Sequence, residues 1–233
     1  MLMLLDEMAE NGMNILSLMM VSYAYFDPIH DGLCWPVRNR KLEYLRDIGC
    51  TNAQKETEFV SKVIEEAEAR SIGVQLFTNL GIYNPERVRL SYLNAFEQVS
   101  KNNDKYKWLF CPDSPGVWEL EKDEITDLLE LYNHKNVKSI GYERLSYAGG
   151  SCFCDFSKTA FQKETGLDLS GFSRGDLVFE QWKVSNITNK LKSLNDSIRA
   201  IRPDIMISLH TSLASGWGHE KSKLRGAGID CVM

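Results

Sequence analysis

The sequence predicts a parallel α/β protein, and three observations carry that prediction. Apolar runs of strand length alternate with amphipathic helical segments along the chain. The first run, Asn14 to Val21 (NILSLMMV), is nearly continuous in apolar residues, as a parallel strand covered on both faces requires. Polar or ionisable residues sit at or just beyond the C-terminal ends of several runs, namely Tyr23 and Asp27, Asn79, Asp113, Glu143 and His210.

The elements follow in order. The start, MLMLLDEMAENGMN, lacks the basic leader and small-residue cleavage site of a signal peptide and reads as an amphipathic helix ending near Gly12. After the first strand and a long loop, a helix covers about Ala53 to Arg70, with Phe59, Val60, Val63, Ile64 and Ala67 on one face. Gly73 to Asn79 is the second strand. Asn84-Pro85-Glu86 is a helix start, a cap followed by proline in the first turn. The spacing of Tyr92, Leu93, Phe96 and Val99 extends that helix to about Ser100.

Trp108 to Cys111 is the third strand, ending in the turn-rich CPDSPG. A helix over about Lys122 to His134 buries Ile125, Leu128, Leu129 and Tyr132, and Val137 to Glu143 is the fourth strand. A short helix over Phe156 to Thr165, closed by Gly166, precedes a long one over Asp176 to Ile201. Pro203 separates the long helix from the fifth strand, Ile205 to His210; a short helix near Glu220 to Arg225 leads to a sixth strand at Ile229 to Met233. Charge runs on these helices read as solvated faces.

Two architectures fit such a pattern, an open doubly wound sheet and an eightfold βα barrel. No glycine-rich phosphate fingerprint follows the first strand, which disfavours the nucleotide-binding version. Ionisable groups at strand C-termini are where a barrel places its active site, and a full barrel takes about 250 residues. The expectation is an incomplete (β/α)8 barrel of the TIM type, a single partial domain over residues 1–233, truncated before its seventh and eighth strands.

Composition sets limits on partners. The chain is 43% hydrophobic and 25% charged, ordinary for a globular protein, and can bury a substantial core. A net charge of -5 argues against nucleic acid or an anionic membrane as the main partner, and no apolar run reaches transmembrane length. The six cysteines do not form a disulfide scaffold in a chain this long, so reduced thiols in the cytoplasm are the default, with export open if the true N-terminus lies upstream.

The candidate chemistry centres on Ser139 to Gly166. Strand alternation sends Ser139, Gly141 and Glu143 to one side, Ile140 and Tyr142 to the other. Glu143 then stands at a barrel mouth, where burial suits a carboxyl to act as general acid and base; alternatively it is a structural partner of Arg144, itself a candidate substrate contact. Cys152, Cys154 and the distant Cys111 can offer three thiolates to zinc, which usually takes four ligands. His210, Asn79 and Asp113 are candidate hydroxyl binders at strand ends, or caps. Tyr23, Tyr25, Trp35, Tyr147 and Trp217 can stack on apolar sugar faces or simply pack their loops.

The pattern Glu143, nine residues to Cys152, then CFCDFSKTAF and Gly166 resembles the loop after the fourth strand in glycoside hydrolase family 42 β-galactosidases and related glycosyl hydrolases. The motif spans about thirty residues. The resemblance implies a (β/α)8 barrel of the large retaining glycosidase clan, with Glu143 as acid/base, Cys111, Cys152 and Cys154 as zinc ligands, and no cofactor needed for turnover. It places the nucleophile carboxylate beyond Met233. Two positions depart from the pattern: Tyr142 replaces the Asn before the Glu, and Ser157 replaces the third loop cysteine. The reading is a β-galactosidase-like hydrolase of a carbohydrate substrate, inactive as this fragment alone. The alternatives are a non-catalytic carbohydrate-binding barrel and a barrel enzyme using Glu143 as a base on another substrate.

Overall fold

The computed structural model describes residues 2–22, 32–46, 57–79, 83–143, 146–147, 151–210 and 221–232. Helix α1 (Leu2–Glu10) leads into strand β1 (Ile15–Met19). Short strands β2 (Val21–Ser22) and β3 (Gly32–Leu33) pair antiparallel, and a 3-10 turn covers Arg40–Leu45. Next come α2 (Thr57–Ala69), β4 (Gly73–Asn79), a single helical turn α3 (Pro85–Val88), and strands β5 (Glu97–Val99) and β6 (Lys105–Phe110). The chain continues through α4 (Pro115–Leu131), β7 (Val137–Glu143), α5 (Asp155–Thr165) and α6 (Leu177–Ile201), then β8 (Met206–His210), α7 (Lys221–Gly226) and β9 (Cys231–Val232).

The main sheet is parallel, in the order β1-β4-β7-β8-β9. Every residue of β4 is buried, whereas β1, on the edge, alternates between exposed and half-buried. Helices cover the outer face: Leu76, Ile140, Tyr142, Ile207 and Leu209 pack there with Ile64, Leu128, Ile187, Leu191 and Leu194 in one core. The strand bounds Gly73–Asn79 and Val137–Glu143 agree with those read from the sequence, as does the long amphipathic helix. Gly166 closes α5 with φ 75°, a left-handed cap that glycine adopts without strain.

Several expectations are corrected, beginning with β1, which is an edge strand with one exposed face rather than a strand covered on both. The helix expected from Asn84 to Ser100 stops at Val88, and the chain turns and extends into β5. Of its expected buried face only Tyr92 is buried, whereas Leu93 is 75% exposed and Phe96 42% exposed. The extended stretch is held instead by Ser114, whose Oγ donates to the Asn94 carbonyl and accepts from the Phe96 amide.

The third strand does not join the parallel sheet. β6 pairs antiparallel with β5 in a separate hairpin, so β4 and β7 are direct neighbours. The physical signal is the period of KYKWLF, whose lysines are exposed while Phe110 is buried, the pattern of a strand with one wet face. The intervening SKNND bends through Asn103 at φ 69°. Finally, α4 begins at Pro115, seven residues before the expected Lys122, and its acidic residues are not all solvated: Glu121, Glu124 and Asp127 are buried. On α2, Phe59 is 43% exposed and lies outside the buried stripe.

Candidate functional site

Register places one residue set on the concave face of the sheet: Ser17 and Met19, then Gln75, Phe77 and Asn79, then Ser139, Gly141 and Glu143, then Ser208 and His210. At the C-terminal rim, Asn79 on β4, Glu143 on β7 and His210 on β8 are register partners on adjacent strands. Three residues far apart in sequence thus meet in one row. Glu143 is the carboxylate of that face among the described residues.

Gly141 makes the row possible. A Cβ there would lie 2.7 Å from Phe77 Cδ2 and 2.9 Å from both Gln75 Cδ and Ser208 Oγ. Through that gap the Gln75 amide reaches across β7 and donates to Ser208 Oγ at 2.8 Å, while Ser17 Oγ donates to Gln75 Oε1 at 2.9 Å. This polar belt forms a floor beneath the rim, and its sequence signal is the run of small and amide residues at alternate strand positions.

His210 is half-buried, its ring edge-on to Phe77 with centroids 4.5 Å apart. Burial lowers its proton affinity below the usual imidazole range, and the Glu143 carboxylate partly offsets that effect. It is therefore neutral at pH 7, with a buried Nε2 that has no hydrogen-bond partner among the described residues. A neutral imidazole in that position can exchange a hydrogen bond with a ligand hydroxyl.

Beyond the C-terminal ends of β6 and β7, Cys111, Cys152 and Cys154 converge, with their sulfurs within 4.8 Å of one another. The hairpin brings Cys111 there, and the loop before α5 brings the other two: Phe153 N donates to the Val99 carbonyl, and Val99 N to Cys152 Sγ. Thiol hydrogen bonds from Cys111 and Cys152 draw Cys154 far below the usual thiol range, while burial pushes Cys111 up. Ser157 Oγ lies 3.3 Å from Cys111 Sγ and 3.7 Å from Cys154 Sγ. Three thiol sulfurs suit three of the four positions that zinc usually fills, while the Ser157 hydroxyl is engaged as a donor to Asp113.

Asp113 and Tyr147 are brought together but enclosed. The Asp113 carboxylate accepts from Lys190 Nζ at 2.6 Å, Asn186 Nδ2 at 2.5 Å, Ser157 Oγ at 2.6 Å and Tyr147 Oη at 3.1 Å. Its side chain is 0% exposed, and Tyr147 is 0% exposed, so this network ties the cysteine loop to α6. Trp35 is also fully buried, its Nε1 donating to Asp127, which additionally accepts from the backbone amides of Arg38 and Asn39. Arg144, Trp217, Tyr23, Tyr25 and Asp27 lie outside the described residues. A surface groove lined by Arg38, Glu58, Lys62, Glu65 and Leu131 contains none of the strand-end residues.

The parallel sheet with helices on its outer face is consistent with part of a TIM-type barrel, and the solved structures that the chain resembles include glycoside hydrolases. Among them are β-galactosidases. The chain aligns with that of Rahnella sp. R3 at TM-score 0.66 and 15% identity, covering 98% of this chain and 35% of that one. It aligns with a GH42 β-galactosidase of G. stearothermophilus at TM-score 0.61 and 14% identity, covering 89% and 33%. With the catalytic domain of a β-amylase from Paenibacillus polymyxa the values are 0.61 and 10%, covering 97% and 70%. The chain thus spans about a third of the β-galactosidases' length. No sequence-family model and no curated protein sequence matches it.

Proposed function

We propose that the chain is part of a retaining β-glycosidase of β-galactosidase type, with Glu143 as acid/base. The supporting observation is the row Asn79–Glu143–His210 at the C-terminal rim of a parallel sheet. In a retaining mechanism Glu143 protonates the departing glycosidic oxygen and then deprotonates the water that releases the sugar. A second carboxylate, about 5–5.5 Å away, attacks the anomeric carbon. On this reading it lies outside the described residues. Asn79 and neutral His210 hold sugar hydroxyls, Arg144 and Trp217 are further contacts by sequence position, and Asp113 and Tyr147 support the site through the cysteine loop.

Zinc, on this proposal, is structural: Cys111, Cys152 and Cys154 supply three of its ligands, and it pins the hairpin to the loop that follows Glu143. Carbohydrate is the partner, with neither nucleic acid nor membrane involved; no helix among the described residues is long and apolar enough to cross a membrane.

The test is Glu143→Gln in the protein that carries this chain, assayed on β-galactosides. The expected result is a fall in kcat of about 10²–10⁴-fold, smaller for acidic phenol leaving groups, which need less protonation. An unchanged kcat sinks the assignment. The lone carboxylate on the described concave face favours one second reading, a non-catalytic sugar-binding barrel. Sugar binding retained by Glu143→Gln, with no turnover by either protein, selects it.

A further inference from the structure

Behind the rim, on the helical side of β4, Glu124 is 0% exposed. Its carboxyl is in hydrogen-bond contact with Thr78 Oγ1 and with Tyr83 Oη, both themselves buried. The same Tyr83 hydroxyl lies 2.8 Å from the Asn79 carbonyl oxygen. Tyr83 has one hydroxyl hydrogen and here faces two oxygens. The Asn79 carbonyl can only accept. If Glu124 were ionised, both neighbours would be acceptors and one contact would lack a hydrogen. If Glu124 is protonated, all are satisfied: Thr78 donates to one carboxyl oxygen, the carboxyl O–H donates to Tyr83, and Tyr83 donates to Asn79.

We infer that Glu124 is held as a neutral acid and is a positioning residue for the Glu143 rim, acting through Tyr83 on the Asn79 carbonyl. Loss of its proton turns the Tyr83 hydrogen toward the carboxylate and removes that donor from the peptide at the end of β4, in register with Glu143. Burial raises the Glu124 pKa from 4.5 to about 7, with Thr78 and Tyr83 opposing, and no cation among the described residues contributes.

The surrounding groups have other commitments. On α4 itself, Asp123 accepts from Tyr92, and Asp127 holds Trp35 and two backbone amides, while Glu121 lies one turn before Glu124. From α6, which packs on α4, Asn186 and Lys190 turn to Asp113, and Lys183 pairs with Glu180. Burial raises Tyr92, and the Asp123 carboxylate that accepts its hydrogen bond raises it further.

The protonation stands on this geometry alone; its consequence for turnover rests on the reading of Glu143 as acid/base. Glu124→Gln is the informative variant, because its amide can donate to Tyr83 and accept from Thr78 as the neutral acid does, yet cannot titrate. Chemical denaturation of the chain should show the wild-type folding constant falling up to about tenfold per pH unit, relative to Glu124→Gln, between pH 4.5 and about 7. Identical pH profiles for the two overturn the proposal. Should the variant fail to fold, infrared spectroscopy of the unmutated chain decides: a protonated buried carboxyl band that vanishes as pH rises through neutrality is expected, and its absence in mild acid overturns the inference. In a turning-over protein, the alkaline limb of kcat/KM should shift in Glu124→Gln. If no glycoside is turned over, the Glu143 reading fails while denaturation and infrared still decide Glu124.

Discussion

Asp113 shows how one side chain can serve a site without facing it. Its carboxylate is sealed among Lys190, Asn186, Ser157 and Tyr147, joining the end of the hairpin, the cysteine loop and α6. The Asp113 side chain is 0% exposed and that of Lys190 24% exposed, so the pair is far less screened than a surface ion pair. Asp113→Asn keeps the shape and removes the charge. Breaking such a pair from one side should cost about 3–5 kcal/mol. Urea denaturation measures it, and a loss below about 1 kcal/mol would mean that hydrogen bonds alone hold the loop.

At the scale of elements, the hairpin is the part that departs from a regular barrel. β5 and β6 leave the sheet, and Gln98 Nε2, donating to the Phe110 and Ser146 carbonyls, together with the Val99 contacts, stitches them to the loop that carries Cys152 and Cys154. That stitching is what assembles three thiols from two segments. If zinc binds there, adding it should raise Tm, by about 2–4 °C for each kcal/mol of binding energy in a chain of this size. Cys154→Ser should abolish both the bound metal, read by elemental analysis, and the shift. Metal-free protein with an unaltered Tm in excess zinc would leave the cluster as three packed thiols.

The whole molecule has opposing pH contributions in one window. Glu124, raised from 4.5 to about 7, stabilises the fold fully below 4.5 and ceases to as pH rises through about 7. That displacement represents on the order of 3 kcal/mol. His210, lowered from 6.5, acts in the opposite sense: its contribution is present above 6.5 and is lost as pH falls through its depressed value. His210→Gln should therefore flatten the acid side of the stability curve while Glu124→Gln flattens the side approaching neutrality. Denaturation midpoints across pH separate the two, and curves that move together would contradict independent titration.

Much of this was legible in the chain itself. The bounds of β4, β7 and α6, the cap at Gly166, and the alternation that turns Glu143 inward and Tyr142 toward the helices follow from local propensity and period, which act between near neighbours. Glu143 and the cysteines were nameable because residue type and spacing were enough. Three things were settled only by tertiary structure. The segment KYKWLF could have entered the sheet by its length, and its pairing with Glu97–Val99 depended on a turn and on Ser114 from the next helix. Asp113 just beyond a strand end and Tyr147 in the loop after β7 read as site residues like Glu143, but which such groups open to the concave face and which are enclosed is decided by the packing of α6. Glu124 sat in an acidic run indistinguishable from a solvated face until Thr78 and Tyr83 closed over it. In each case the chain specifies what a residue can do, and distant segments decide its solvent and its partners, which set charge and hydrogen bonding.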